Sequence, residues 1–191
     1  MSMALLMIDM QNGFCQPDGS ASRAGVKIPR IDRVTSACAE LLDAVRSRGV
    51  PVIYTRHCYR PGHVTAPAAF RAFLAAGALE QGSWDAEVID ELAPGRGDHL
   101  VDKPRFDAFA HTDLELLLRG LGAGHVLLAG VLTNICVETT ARAAQQLEFQ
   151  VSVASDATAS TTDELHTGAL AGLREVYVAT DPWARVLTAA L

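Results

Sequence analysis

Six short apolar runs, rich in valine, isoleucine and leucine and separated by longer stretches with helical spacing, constrain this chain more than any other feature. A strand buried on both faces reads as a continuous apolar run, and parallel neighbours need a crossover long enough for a helix. The runs are Ala4–Ile8, Val50–Thr55, His99–Asp102, His125–Val131, Gln150–Ala154 and Glu175–Ala179. Helical patterns cover Ile31–Ser47, Leu114–Leu121, Ile135–Leu147 and Thr162–Leu173, the first bringing Ile31, Val34, Leu41, Leu42 and Val45 to one face. Gly49 and Gly122 follow two of them as stops. The alternation predicts an α/β fold with six strands.

The pattern breaks between Arg56 and Gly97, where Pro61-Gly62, Pro67, Gly77, Gly82 and Pro94-Gly95 interrupt it and only Ala68–Ala75 reads as helical. Such a long excursion inside a compact chain is usually a lid or a binding segment, so residues 56–97 are expected to overhang the site. The 191 residues fit a single domain, 1–191, large enough to bury a sizeable core. A formal charge of −6 and the lack of any Lys/Arg cluster argue against a nucleic-acid partner. The opening apolar run lacks a basic leader and meets Asp9 too soon to span a bilayer, so it reads as a first strand in a cytoplasmic protein with no membrane partner. Cys15, Cys38, Cys58 and Cys136 form no CxxC pair, and disulfides are not expected.

In open parallel sheets the ligand lies beyond the carboxyl ends of the strands, where loops and helix starts converge. Polar residues at strand exits are therefore the candidates. Three exits stand out: Asp9 after the first run, Lys103 after the third, and the turn Val131–Cys136 after the fourth. A thiol at a helix start meets unpaired N–H groups that favour thiolate, although an inert buried cysteine is the common alternative. Asp9 alone reads equally as a cap or ion-pair partner, and Lys103 as a solvated surface amine. Together they make a working unit, in which a carboxylate accepts the thiol proton and an amine steadies the anions.

The stretches LLMIDMQNGF (5–14), DKPRFDAFAHTDLELLLR (102–119), LLAGVLTNICVETTARAA (127–144) and VSVASDATAS (151–160) resemble the isochorismatase-like cysteine hydrolase superfamily. That superfamily includes nicotinamidases, N-carbamoylsarcosine amidases, ureidoacrylate amidohydrolases and biuret hydrolases. The resemblance runs along nearly the whole chain. It implies a Rossmann-like three-layer α/β/α sandwich on a six-stranded parallel sheet, and a catalytic triad of Asp9, Lys103 and Cys136. It also implies a cis peptide between Val131 and Leu132, with the backbone N–H groups of Leu132 and Cys136 as an oxyanion hole. The implied activity is hydrolysis of a C–N bond in a small amide, carbamoyl or ureido substrate through a thioester, and the implied assembly is a homodimer or homotetramer.

Vinyl-ether-cleaving members lack the cysteine, so Cys136 favours C–N cleavage. Nicotinamidases carry Asp-x-His and a later His on a metal, whereas this chain places His57 and Tyr59 where the Asp and first His would stand; no metal and no other cofactor is expected. His57, Cys58 and His63 are weak alternative ligands in a Pro/Gly-rich stretch, better read as substrate contacts or surface histidines. Gly120–Gly124 precedes a strand instead of following one, which excludes a dinucleotide loop. Phe14, Trp84, Phe106 and Asn134 are the candidate substrate-binding residues, and Arg105 either holds a substrate carboxylate or pairs with an acid such as Asp107. The competing readings are a noncatalytic thiol redox sensor or binding module and a vinyl-ether hydrolase.

Overall fold

The computed structural model describes residues 2–71 and 74–190. Six strands, β1 (Ser2–Ile8), β2 (Val52–His57), β3 (His99–Lys103), β4 (Ala123–Val131), β5 (Gln150–Ala159) and β6 (Ala179–Asp181), form one sheet in the order β3-β2-β1-β4-β5-β6. All five pairings are parallel. The strand order reverses between β1 and β4, which opens a crevice at their carboxyl ends.

Alternation along β1 divides the core into two layers. Leu5 and Met7 pack with Val34, Cys38, Leu41 and Val45 of the helix Ile31–Arg46. Ala4, Leu6 and Ile8 face Leu114, Leu118, Ala141 and Leu170, from the helices Leu114–Gly120, Glu138–Gln146 and Asp163–Arg174. Each large aliphatic side chain buried in this way contributes about 1.5–3 kcal/mol. The result is the three-layer α/β/α sandwich, with helices over both faces of the sheet.

Several boundaries differ from the sequence reading. β2 ends at His57 instead of Thr55, because it pairs with β3 through His57↔Lys103. β5 continues to Ala159, and an irregular register against β4 lets Gly130 pair with Thr158. The sixth strand lies at Ala179–Asp181, because the N–H groups of Val176 and Val178 both return to the carbonyl of Leu173 and spend residues 175–178 on leaving the helix. The helix expected over Ile135–Leu147 begins with a π-helical turn, Thr133–Val137, and becomes α-helical only at Glu138. A further helix, Trp183–Ala190, was not legible as a pattern. The helix expected over Ala68–Ala75 is seen at Ala68–Arg71; residues 72 and 73 of that stretch lie outside the described residues.

The excursion of residues 56–97 returns to the sheet. Gln11 bridges to Val88 and Tyr59 to Glu80, while Val88, Ile89 and Leu92 enter the core. Among the described residues, no helix is long and apolar enough to cross a membrane.

Candidate active site

Four adjacent strand ends deliver the polar groups. Asp9 follows β1 with φ of 51°, a left-handed conformation that aspartate tolerates better than bulky residues. Its N–H bonds the carbonyl of Thr55 at 3.2 Å, so the chain turns while still tied to β2. His57 and Lys103 close β2 and β3, side by side in register. Cys136 lies in the π-helical turn after β4, a local form that recurs at functional sites. Gly130 lets β1 and β4 approach, since a Cβ there would stand 2.0 Å from the carbonyl oxygen of Ile8. The Val131–Leu132 peptide beyond it is cis.

Asp9 and Lys103 form an ion pair at 2.7 Å, with their side chains 1% and 0% exposed. Lys103 is therefore not the solvated surface amine that was its ordinary alternative reading. Thr55 Oγ1 donates to Asp9 Oδ1 at 2.6 Å, and Lys103 Nζ also donates to the carbonyl of Arg105 at 3.0 Å. Asp9 Oδ2 has Lys103 as its charge partner and no directed hydrogen bond among the described residues. Burial works against the Lys103 charge, but the Asp9 and Cys136 groups outweigh it and hold the ammonium above its usual range.

Burial, then repulsion from Asp9, pushes the Cys136 thiol up, and Lys103 offsets only part of that. Burial beside a carboxylate, within a π turn, thus works against the thiolate that a helix start favours.

The candidate carboxylate, imidazole and thiol donor atoms of Asp9, His57 and Cys136 lie within 4.8 Å of one another. They do not suit a dication, because the Lys103 ammonium already stands 2.7 Å from Asp9 and 3.3 Å from His57 Nδ1. The metal position known from nicotinamidases fits no better. His57 Nε2 and the Tyr59 hydroxyl bond each other at 2.6 Å, and His63 Nε2 bonds the carbonyl of Ala78 at 2.7 Å. His57 and His63 are both buried and so are not surface histidines.

A cavity of about 260 Å³ opens above Cys136, lined by Phe14 and Phe106 as expected, by Leu132 and Ile135 of the turn, and by Tyr59 and Phe70 of the excursion. Trp84 and Asn134 are not among its lining residues. Trp84 is 54% exposed and offers its carbonyl to Asn12, while Asn134 Oδ1 accepts from Ser160 Oγ at 2.5 Å on the far side of the turn. Arg105 is not paired with Asp107; its Nη1 donates to the carbonyls of Thr65 and Pro104. Cys15 packs in the core, and burial pushes its thiol up to about 12.

Two neighbours of the site were not singled out from sequence. Gln11 is fully buried, accepting from the N–H of His57 at 2.6 Å and donating to the carbonyl of Ala86 at 2.9 Å, which pins the end of β2 to the excursion. Tyr59 was noted only as a lost metal ligand. The clue available was that both follow strand ends closely.

The isochorismatase domain family matches residues 3–189. A ureidoacrylate amidohydrolase RutB from Caulobacter vibrioides is 34% identical over 170 residues, covering 81% of this chain and 76% of the relative. Among solved structures, an isochorismatase family protein from Desulfovibrio vulgaris superposes with a TM-score of 0.89 at 27% identity, covering 99% of this chain and 98% of that one. The N-carbamoylsarcosine amidase of Thermoplasma acidophilum gives 0.78 at 26% identity, covering 96% and 97%.

Proposed function

Since this chain belongs to the isochorismatase family, we propose that it hydrolyses a C–N bond in a small amide, carbamoyl or ureido substrate through a thioester on Cys136. Amide C–N hydrolysis is the activity that its ureidoacrylate and N-carbamoylsarcosine relatives carry in their names. The observation that carries the mechanism is the buried Asp9–Lys103 pair, whose carboxylate offers an oxygen within 4.8 Å of the Cys136 sulfur.

In this reading Asp9 takes the thiol proton as Cys136 Sγ attacks the carbonyl carbon. A thiol whose ionisation is opposed by burial suits that step, because the proton then moves as the carbonyl is attacked. Lys103, paired with Asp9, balances the charge that develops. The backbone N–H groups of Leu132 and Cys136, two residues lining the cavity, receive the oxyanion. Asp9 then passes its proton to the departing nitrogen, the C–N bond breaks, and the amine or ammonia leaves a thioester. Water attacks that thioester, giving a proton back to Asp9, and collapse of the second tetrahedral adduct expels the thiolate, which regains its proton as the carboxylate product departs. The excursion of residues 56–97 acts as the outer wall that keeps bulk water from the first step.

A redox sensor needs an accessible thiol of low pKa, and Cys136 is 6% exposed and pushed upward. The test is Cys136→Ala, which is expected to lower ammonia release from a turned-over amide by about 10⁴-fold or more. Acid-quenched wild type is expected to carry an acyl adduct on Cys136 by mass spectrometry. Unchanged turnover in the variant would remove the mechanism.

A further inference from the structure

The residues of the turn after β4 divide by what they touch. Leu132, Ile135 and Cys136 line the cavity, whereas Thr133 and Asn134 do not. Thr133 is fully buried, so its hydroxyl reaches neither that cavity nor bulk water and needs a partner inside the protein. Among the described residues it has one side-chain hydrogen bond, to His166 Nδ1 at 2.8 Å.

His166 is built to hold that hydroxyl in place. It lies near the start of the helix Asp163–Arg174, which Thr162 caps and which buries Ala169, Leu170 and Leu173 against the core. Burial holds its imidazole below the usual range, so at neutral pH the ring is uncharged, and a hydroxyl can pair with either tautomer. Strand β5 supports the same side of the turn: Val131 pairs with Ala159, and Ser160 Oγ donates to Asn134 Oδ1. The thiol is held separately, with Cys136 packed in the core and Asp9 and Lys103 acting on its sulfur. The two ends of the turn thus answer to different partners.

We propose that His166 is a positioning residue, which through Thr133 fixes the backbone at Leu132 so that the Leu132 N–H is aimed at the oxyanion; the proposal rests on the hydrolytic reading of Cys136. Thr133 directly follows Leu132, so the bond to His166 ties that donor to a packed helix. Stabilisation of an oxyanion depends on the aim of its donors, and a misplacement of about 1 Å can cost on the order of 10²-fold in rate. Because the oxyanion forms only along the reaction path, loss of the tether falls on kcat and spares substrate binding.

The test uses the full chain and an amide that wild type turns over, with iodoacetamide as a separate probe of the thiol, since alkylation of Cys136 forms no oxyanion. His166→Leu is expected to lower kcat by about 10–100-fold with KM within about threefold. Thr133→Val removes the other partner and is expected to match it. The double variant is expected to lose no more than the worse single one, because both changes break the same bond. His166→Asn keeps a side-chain amide where Nδ1 stood and is expected to stay within about threefold of wild type. Alkylation of Cys136, followed by mass spectrometry, is expected to stay within about twofold of wild type in all four variants. Unchanged kcat in His166→Leu overturns the proposal. So does His166→Asn as impaired as His166→Leu, or a parallel fall of kcat and alkylation rate, which marks a merely structural role. Wild type that is alkylated at Cys136, yet forms no acyl adduct and releases no ammonia from a panel of amides, removes the hydrolytic reading itself and the proposal with it.

Discussion

The turn of residues 131–137 separates two cavities of opposite character. On one side Leu132, Ile135 and Cys136 line the apolar space of about 260 Å³. On the other, Thr133 and Asn134 bond His166 and Ser160, which line a larger space of about 470 Å³ together with Arg30, Arg33, Asp156 and Asp163. Size and surface charge would favour the second as a binding site. Its charges, however, are largely solvated: the Arg30–Asp163 pair is more than half exposed on both sides, and an exposed pair is worth little. The smaller cavity has its ion pair beneath the floor, out of water, where a proton acceptor and a nucleophile gain most from each other. Burial of the charges, more than their number, distinguishes the reactive side.

The largest expected contrast between the two sides comes from breaking each ion pair. Asp9→Asn strands a buried ammonium and Lys103→Met strands a buried carboxylate, so each single change is expected to cost about 3–5 kcal/mol in urea unfolding. The double variant leaves neither charge and is expected to recover most of that stability. All three are expected to lose at least about 10³-fold in kcat/KM. Asp163→Asn on the polar side is expected to change stability by less than about 1 kcal/mol and leave turnover within about threefold. Recovery of activity along with stability in the double variant would show that the pair is structural.

Gly130 tests what holds the two sides together, because it pairs with Ile8 of β1 and with Thr158 of β5. Its φ is +109°, and an added Cβ would meet Ile8 backbone at 2.0 Å. Gly130→Ala is expected to lower unfolding free energy by on the order of 3 kcal/mol, read by urea or thermal denaturation. A loss below about 1 kcal/mol would mean that β1 and β4 separate at little cost, and that the placement of Asp9 against Cys136 depends on something else.

The legibility of these features in the sequence follows from how local each signal is. Asp9, Lys103 and the Cys136 turn were readable because each ends an apolar run, and the strand-end rule needs no knowledge of partners. The sheet and its two helical layers were readable for the same reason. Tyr59 and Gln11 were not, because their roles arise from nonlocal closure: β2 runs two residues past its apolar stretch, and the excursion folds back through the Tyr59 and Val88 bridges. Trp84 shows the reverse error, an aromatic in the right segment whose ring stays outside. The π-helical turn and the displaced sixth strand depend on which carbonyl each N–H finds, and side-chain periodicity does not record that.

Acid titration gives the finest distinction between the two sides, since each holds one histidine with a lowered pKa. Burial and the Lys103 charge push His57 down to about 3 from 6.5. Burial also lowers His166, but Asp163 offsets part of the shift. For both groups the unfolded chain takes up a proton near pH 6.5 that the folded chain refuses, so stability falls as pH drops below 6.5 and is unaffected by these groups above it. For His57 the window extends to about pH 3, with a limiting slope of about 1.4 kcal/mol per pH unit. His57→Asn removes that proton from the difference between the two states. Unfolding free energies measured from pH 7 to pH 4 are therefore expected to fall less steeply in His57→Asn than in wild type, and His166→Asn is expected to flatten the curve less. Equal slopes in wild type and His57→Asn would mean that the imidazole is protonated within the folded cavity, placing a positive charge beside Lys103 and undoing the contrast between a neutral wall and a charged floor.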